Sequence, residues 1–291
     1  MRAGEIIAQR YRIDNAIARG GFAAVWGAWD LKLDSPVALK VLRCDADQFD
    51  SAARKRFVQE SALMQELDHP NIVRTYDCGE DEDGLLFIVM EKLEGHTLTA
   101  RLQHRNPPGT IRHVLEQMLE ALGYAHQRGL IHRDLKPSNV FLCAAPDDPR
   151  PTVKLLDFGF AKLLDSEVGV RLTLVGERVG TPGYMAPEQL NDGAANPKVD
   201  LYVVGVLGYE MLTGEQAFKG EGIQRAMAQM KGNPKSPEPE LAKLPIYGVI
   251  SKLLEYNPKH RYASAADALY ELGQGLGARS DKWSLKRLFG R

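Results

Sequence analysis

The hydrophobic pattern of this chain changes its period once, near Gly95, and that change limits the folds open to it. From Tyr11 to about Met90, short β-rich runs alternate with turns: Tyr11–Ile13, Ala24–Trp26, Val37–Leu42, Ile72–Tyr76 and Leu85–Met90. Runs this short, rich in β-branched and aromatic residues, predict a small five-stranded antiparallel sheet. One main helix interrupts it, where Phe57, Leu63, Met64 and Leu67 recur near helical spacing and His69-Pro70 ends the run. Beyond Gly95 the period is helical. Ile111, Val114, Leu115, Met118, Leu119 and Leu122 fall at i, i+3, i+4, i+7, i+8 and i+11, one apolar stripe on an amphipathic helix. Further helices are predicted over Asp200–Thr213, Ile223–Met230, Tyr247–Leu254 and Ser264–Leu276, with Pro and Gly clusters between them. The expected fold class is α+β in two lobes within residues 1–275: a sheet lobe of about 11–90, a hinge of about 91–95 and a mostly helical lobe of about 96–275.

Composition narrows the function classes. With 291 residues and 44% hydrophobic content the chain can bury a large core. A formal net charge of −1 gives no whole-molecule field to recruit nucleic acid. Three scattered cysteines, Cys44, Cys78 and Cys143, lack metal-ligand spacing and suit a reducing compartment, so a cytoplasmic location is expected. Residues Met1–Arg10 are charged and carry no apolar core, so they do not read as a secretory signal. The longest apolar run, Leu201–Leu212, is broken by Glu210 and falls short of the roughly 20 residues a membrane helix needs. It reads as a buried core helix. Cys143–Pro151 and Gly232–Pro239 read as loops.

The chemistry concentrates in one string, His132-Arg133-Asp134-Leu135-Lys136-Pro137-Ser138-Asn139, followed downstream by Asp157-Phe158-Gly159. An acid, a cation and an amide in one loop suit holding a hydroxyl nucleophile, a phosphate and a metal together. Upstream, Ile17–Val25 holds Gly20-Gly21 between two strand-like runs, where backbone N–H groups could approach phosphate oxygens without a Cβ clash. Alone, such a Gly-Gly is a hairpin turn, and Lys40 at the end of Val37-Ala38-Leu39-Lys40 is a solvated cation. Their order along the chain reverses that.

Taken together these motifs resemble the eukaryotic-like (Hanks-type) serine/threonine protein kinases, particularly the compact bacterial form, over roughly residues 11–275. The resemblance implies a two-lobed protein kinase fold with ATP between the lobes. It implies that Lys40, oriented by Glu60, contacts the α and β phosphates, that Asp134 accepts or orients the substrate hydroxyl proton, and that Lys136 holds the transferring phosphate. Asn139 and Asp157 would hold Mg²⁺, or Mn²⁺ in its place. The nucleotide site it implies comprises Ile17, Ala18, Gly20, Gly21, Val25, Ala38, Lys40, Met90, Glu91 and Leu93, with Met90 guarding the back. Ala18 and Ala23 depart from the pattern, standing at two positions where the family has glycine.

Arg133 before Asp134 implies that a phosphate can organise the following segment, with Thr173 as the regulatory candidate. Thr181 matches the threonine that hydrogen-bonds the catalytic Asp and Lys. Glu188 of Ala186-Pro187-Glu188 should pair with a buried Arg261, and Asp200 should anchor the central helix. The implied activity is transfer of the ATP γ-phosphate to serine or threonine hydroxyls of protein substrates, with autophosphorylation. The alternatives are a nucleotide-binding pseudokinase that docks partners and a kinase of small metabolites. Regulation would fall to a partner, dimerisation or phosphorylation. Residues 276–291 form a basic amphipathic tail, with Arg279, Lys282, Lys286, Arg287 and Arg291 among Trp283, Leu285, Leu288 and Phe289. Packing on its own lobe or fraying is favoured over contact with an anionic membrane or a partner groove.

Overall fold

The computed structural model describes residues 1–20, 23–42, 57, 61–143, 148, 150–158, 182–190, 196–220, 222–232 and 234–274. Six strands form the first sheet: β1 (Ile6–Ile7), β2 (Tyr11–Arg19), β3 (Ala23–Asp30), β4 (Ser35–Leu42), β5 (Thr75–Glu80) and β6 (Leu86–Glu91). Their order is β1-β2-β3-β4-β6-β5, antiparallel throughout. The sheet therefore has six strands rather than the five expected. The extra strand pairs Ile6 and Ile7 with Arg12 and Tyr11, and two residues carry no readable period.

The strand expected over Ile72–Tyr76 is also displaced, beginning at Thr75 and running to Glu80. Ile72 and Val73 are apolar for another reason: both are buried at the junction of the lobes. Ile72 forms an isolated parallel bridge with Leu155, and Val73 N–H donates to Leu155 O at 2.9 Å. The polar stretch Asp77-Cys78-Gly79-Glu80 has little intrinsic strand preference. It is a strand because β6 pairs with it, pairing winning over propensity.

One face of the sheet buries Tyr11, Ile13, Trp26, Ala28, Val37, Leu39, Val41, Phe87 and Val89 in a single cluster. Phe57 and residues 61–65 are helical. Phe57 and Leu67 are buried, whereas Leu63, expected on the apolar stripe, is 46% exposed.

The helical part contains α1 (Pro108–Gln127), α2 (Lys198–Thr213), α3 (Gly222–Met230), α4 (Pro245–Leu253) and α5 (Ala265–Gln274). Every residue of the predicted α1 stripe is buried. Helix α2 is buried on all sides from Val199 to Thr213, as its apolar residues all round the helix required, and Glu210, which interrupts the run, is buried with them. It packs against α1 and α4, while α5 lies on α1. A second sheet, β7 (His96–Thr97), β8 (Val140–Cys143) and β9 (Thr152–Leu155), sits beside the hinge. Strands β8 and β9 pair antiparallel, and of the loop predicted between them residues 144–147 and 149 lie outside the described residues. No helix among the described residues is long and apolar enough to cross a membrane.

Candidate active site

The loop at His132 follows α1 and is fastened from beneath by α2. Asp200, in the first turn of α2, is buried and accepts His132 N–H at 2.9 Å and Arg133 N–H at 3.0 Å. Its Oδ2 also lies 2.7 Å from His126 Nε2. Arg133 has φ +65°, a left-handed conformation that a side chain disfavours by roughly 1 kcal/mol or more. The two hydrogen bonds to Asp200 hold it there. The His132 ring is buried, its Nε2 is 2.8 Å from Leu156 O, and it lies 4.6 Å from the Phe158 ring.

This support fixes three side chains in mutual contact. Lys136 Nζ donates to Asp134 Oδ2 at 2.8 Å. Asn139 Nδ2 donates to the Asp134 carbonyl at 2.8 Å and to Oδ2 at 3.2 Å. Both donors converge on one carboxylate oxygen, and Asp134 Oδ1 has no partner among the described residues. With its amide nitrogen so engaged, Asn139 turns its amide oxygen elsewhere.

Asp157 is brought to this loop by β9, whose continuation Leu156 donates its N–H to Asn139 O at 2.9 Å. Asp157 too has positive φ, +60°. Its Oδ1 accepts from Lys40 Nζ at 2.7 Å, joining the sheet lobe to the loop. Burial alone would raise this carboxyl. The Lys40 ammonium, with its hydrogen bond and smaller contributions from His132 and Lys136, outweighs burial and holds it below the usual carboxylate range. Asp157 is thus ionised at neutral pH and keeps 29% of its side-chain surface open.

Of the residues expected around a nucleotide, Val25, Ala38, Met90 and Leu93 come together. Ala38 and Met90 share a buried cluster with Val73, against which Val25, Leu93 and Leu156 pack. Val73 and Leu156 were not anticipated, since nothing but apolar character marks them in the sequence. Behind the cluster a small cavity runs between Lys40 and Met90, lined by Met64, Leu67, Ile72, Thr75, Ile88 and Phe158. At the turn expected to face phosphate, Gly20 N–H donates to Ala23 O at 2.9 Å, and Ala18 faces Val25 across the strands. Ala18 and Ala23 both lie in extended strand, a conformation that does not call for glycine. Ile17 is exposed. Gly21, Glu60, Gly159, Thr173, Thr181 and the tail 276–291 lie outside the described residues.

Around this centre, Arg261 holds Glu188 through two hydrogen bonds, Nη1 to Oε1 at 2.6 Å and Nη2 to Oε2 at 2.9 Å. The side chain of Glu91, placed in the nucleotide site from its position alone, turns away from solvent to accept from Lys154 Nζ at 2.5 Å and Arg74 N–H at 2.8 Å. Lys154 carried no signal in the sequence, where a lysine in a short strand reads as solvated.

Three comparisons bear on this geometry. The family model described as "Protein kinase domain" matches residues 11–271. Serine/threonine-protein kinase PrkC of Bacillus subtilis is 36% identical over 272 residues, covering 92% of this chain and 40% of the relative. Serine/threonine-protein kinase pkn3 of Myxococcus xanthus is 38% identical over 270 residues, 90% of this chain and 49% of the relative. Serine/threonine-protein kinase PknA of Mycobacterium tuberculosis is 36% identical over 285 residues, 94% of this chain and 64% of the relative. The chain thus spans between 40% and 64% of the length of these relatives. A crystal structure of the Mycobacterium tuberculosis PknI kinase domain superposes with a TM-score of 0.72 at 25% identity, covering 95% of this chain and 99% of that one. With the motifs in order, the lysine and two aspartates in register and the match running nearly end to end, the chain belongs to the protein kinase family.

Proposed function

We propose that this chain is a serine/threonine protein kinase, transferring the γ-phosphate of ATP to serine or threonine hydroxyls of protein substrates. The observation that carries the reading is the polarised Asp134 carboxylate. Lys136 and Asn139 both occupy Oδ2, so Oδ1 is the oxygen left to receive a hydroxyl hydrogen bond. A nucleophile oriented there needs only a positioned phosphate, because catalysis of phosphoryl transfer is mostly placement and charge neutralisation. Lys136, beside the same carboxylate, sits where it can stabilise charge on the transferring group.

The donor set fits a hard divalent cation. Asp157 offers a carboxylate and Asn139 an amide oxygen, joined through the Leu156 N–H to Asn139 O hydrogen bond. Two protein oxygens suit Mg²⁺, or Mn²⁺ with the same ligands, which takes one or two protein oxygens and completes its shell with phosphates and water. When bound, the ion would neutralise phosphate charge. Lys40, beside Asp157, would contact the phosphates, with Glu60 as its proposed orienting partner.

Autophosphorylation, with Thr173 as the regulatory site and Thr181 contacting the catalytic pair, is part of the same proposal. The test is mass spectrometry of phosphatase-treated protein after incubation with Mg-ATP. New phosphate on the wild type and none on Asp134→Asn is the expected result. No phosphate on wild type or on a generic protein acceptor would instead make the chain a docking module.

A further inference from the structure

Helix α3 directs two polar side chains into the protein rather than toward solvent. Arg225 is 5% exposed and Gln229 0%. Arg225 Nη2 donates to Glu210 Oε1 of α2, and its guanidinium lies 4.4 Å from the centre of the Tyr184 ring. The Tyr184 hydroxyl donates to the other oxygen of the same carboxylate at 2.9 Å. One turn further along α3, Gln229 Nε2 donates to Gly183 O at 3.0 Å. Gly183 lies so close that a Cβ there would stand 2.6 Å from Arg225 Cδ. The short turn Pro182–Tyr184 is therefore gripped from one side by α3.

The other end of this stretch reaches the catalytic loop. Gln189 accepts Ala186 N–H at 2.9 Å and donates to Arg133 O at 3.3 Å, one residue before Asp134. The chain from Gly183 to Gln189 thus forms a wall held at one end by Arg225 and Gln229 of α3 and at the other by the Gln189 hydrogen bond to Arg133 O, beside Asp134. None of these residues belongs to the cluster of Ala38, Val73 and Met90 on the nucleotide side. On the protein kinase reading, an acceptor that brings a hydroxyl to Asp134 would pass along this wall, and the nucleotide would approach from the sheet lobe.

The wall is not built for stability alone. Arg225 Nε and Gln229 Oε1 are buried with no hydrogen-bond partner among the described residues. Well-packed apolar side chains of similar volume would avoid both that and the desolvation of the Arg225–Glu210 pair. What the polar arrangement adds is direction: a planar guanidinium stacked on one ring and fixed to one carboxylate sets where Tyr184 stands.

We propose that Arg225 is a positioning residue for the protein acceptor, holding Gly183 and Tyr184 where the acceptor docks and taking no part in nucleotide binding. The proposal rests on the protein kinase reading. Its test compares wild type with Arg225→Met in a Glu210→Gln background, which avoids stranding a buried carboxylate, alongside Glu210→Gln alone, Arg225→Lys and Gln229→Leu. Two acceptors are used, dephosphorylated casein and the Asp134→Asn copy of this chain, and acceptor-free ATP hydrolysis is measured in parallel. The expected result is a rise of about tenfold in KM for both acceptors, with KM for ATP and acceptor-free hydrolysis within about twofold of wild type and partial recovery in Arg225→Lys. If the paired variant fails to fold, Gln229→Leu is judged by the same split. Acceptor and ATP constants moving together, or unchanged acceptor kinetics in a folded variant, would overturn the proposal alone. A wild type that transfers phosphate to neither acceptor would overturn the kinase reading and this proposal with it.

Discussion

Arg261 offers the sharpest test of how the helical lobe holds the segment at Glu188. Its side chain is 0% exposed and that of Glu188 15%, so the pair is effectively dry. Beyond the two hydrogen bonds to Glu188, Arg261 donates to Glu255 O at 2.7 Å, Lys198 O at 3.0 Å and Tyr256 O at 3.0 Å, and stacks 4.7 Å from the Tyr202 ring centre. Arg261→Met keeps much of the aliphatic volume but strands the carboxylate and removes the donor from three carbonyls. Breaking one side of a buried pair costs about 3–5 kcal/mol. At about 2–3 °C per kcal/mol for a chain of this size, the melting point should fall by about 6–15 °C. Differential scanning fluorimetry and urea unfolding measure this. The double variant Arg261→Met/Glu188→Leu removes the stranded charge and should recover part of the loss, giving a coupling of at least about 1 kcal/mol. A single variant costing less than about 1 kcal/mol, or a double variant whose cost equals the sum of the singles, would refute the claim that the pair is dry and coupled.

Two further outcomes follow from the sheet lobe and the hinge. Gly95 has φ +140°, and a Cβ there would stand 2.1 Å from Leu142 O, so Gly95→Ala should destabilise by about 3 kcal/mol or more, read as lost soluble yield and an earlier unfolding midpoint. Asp30 is buried, accepts from Arg10 Nε at 2.9 Å and Nη2 at 2.7 Å, and is held below its ordinary value by that pairing, assisted by the Lys32 and Leu33 N–H groups. A depressed carboxyl stabilises the fold above its unfolded value and loses that contribution as pH falls through the folded one. Asp30→Asn should therefore cost about 1–3 kcal/mol near pH 7, and the gap to wild type should close below about pH 4, as urea midpoints across pH 3–7 would show. A gap that stays constant over that range would remove Asp30 ionisation from the account.

How much of this was legible depended on whether a residue's role shows in its neighbours along the chain. The α1 stripe and the predominantly apolar α2 could be read because each pattern repeats within one element. The string from His132 to Asn139 could be read because Asp134, Lys136 and Asn139 contact one another within six residues of chain. Ile72 and Val73 misled because junction burial and strand burial look alike in a short apolar run. Arg225, Gln229 and Lys154 gave no signal at all. Each is an ordinary polar residue locally, and its partner lies 15, 46 or 63 positions away. Ala18 and Ala23, the two departures from the glycine pattern, both lie in strand, a conformation that alanine adopts without strain.

The same distinction explains where the catalytic geometry is stored. Arg133 and Asp157, which flank the proposed reacting groups, are both non-glycine residues at positive φ, and left to local preference each would relax. They are held by residues that take no part in the chemistry. Asp200 fixes Arg133 through two backbone hydrogen bonds. The His132 ring fixes the approach to Asp157 from both sides, through Leu156 O at 2.8 Å and the Phe158 ring at 4.6 Å. His126 in turn touches the same Asp200 oxygen that His132 N–H uses. The string at His132 therefore supplies the functional atoms, while their conformation is set by α2, the end of α1 and the start of the segment after β9. A variant that retained Asp134, Lys136 and Asn139 but lost Asp200 would keep every reacting group and lose the backbone that aims them.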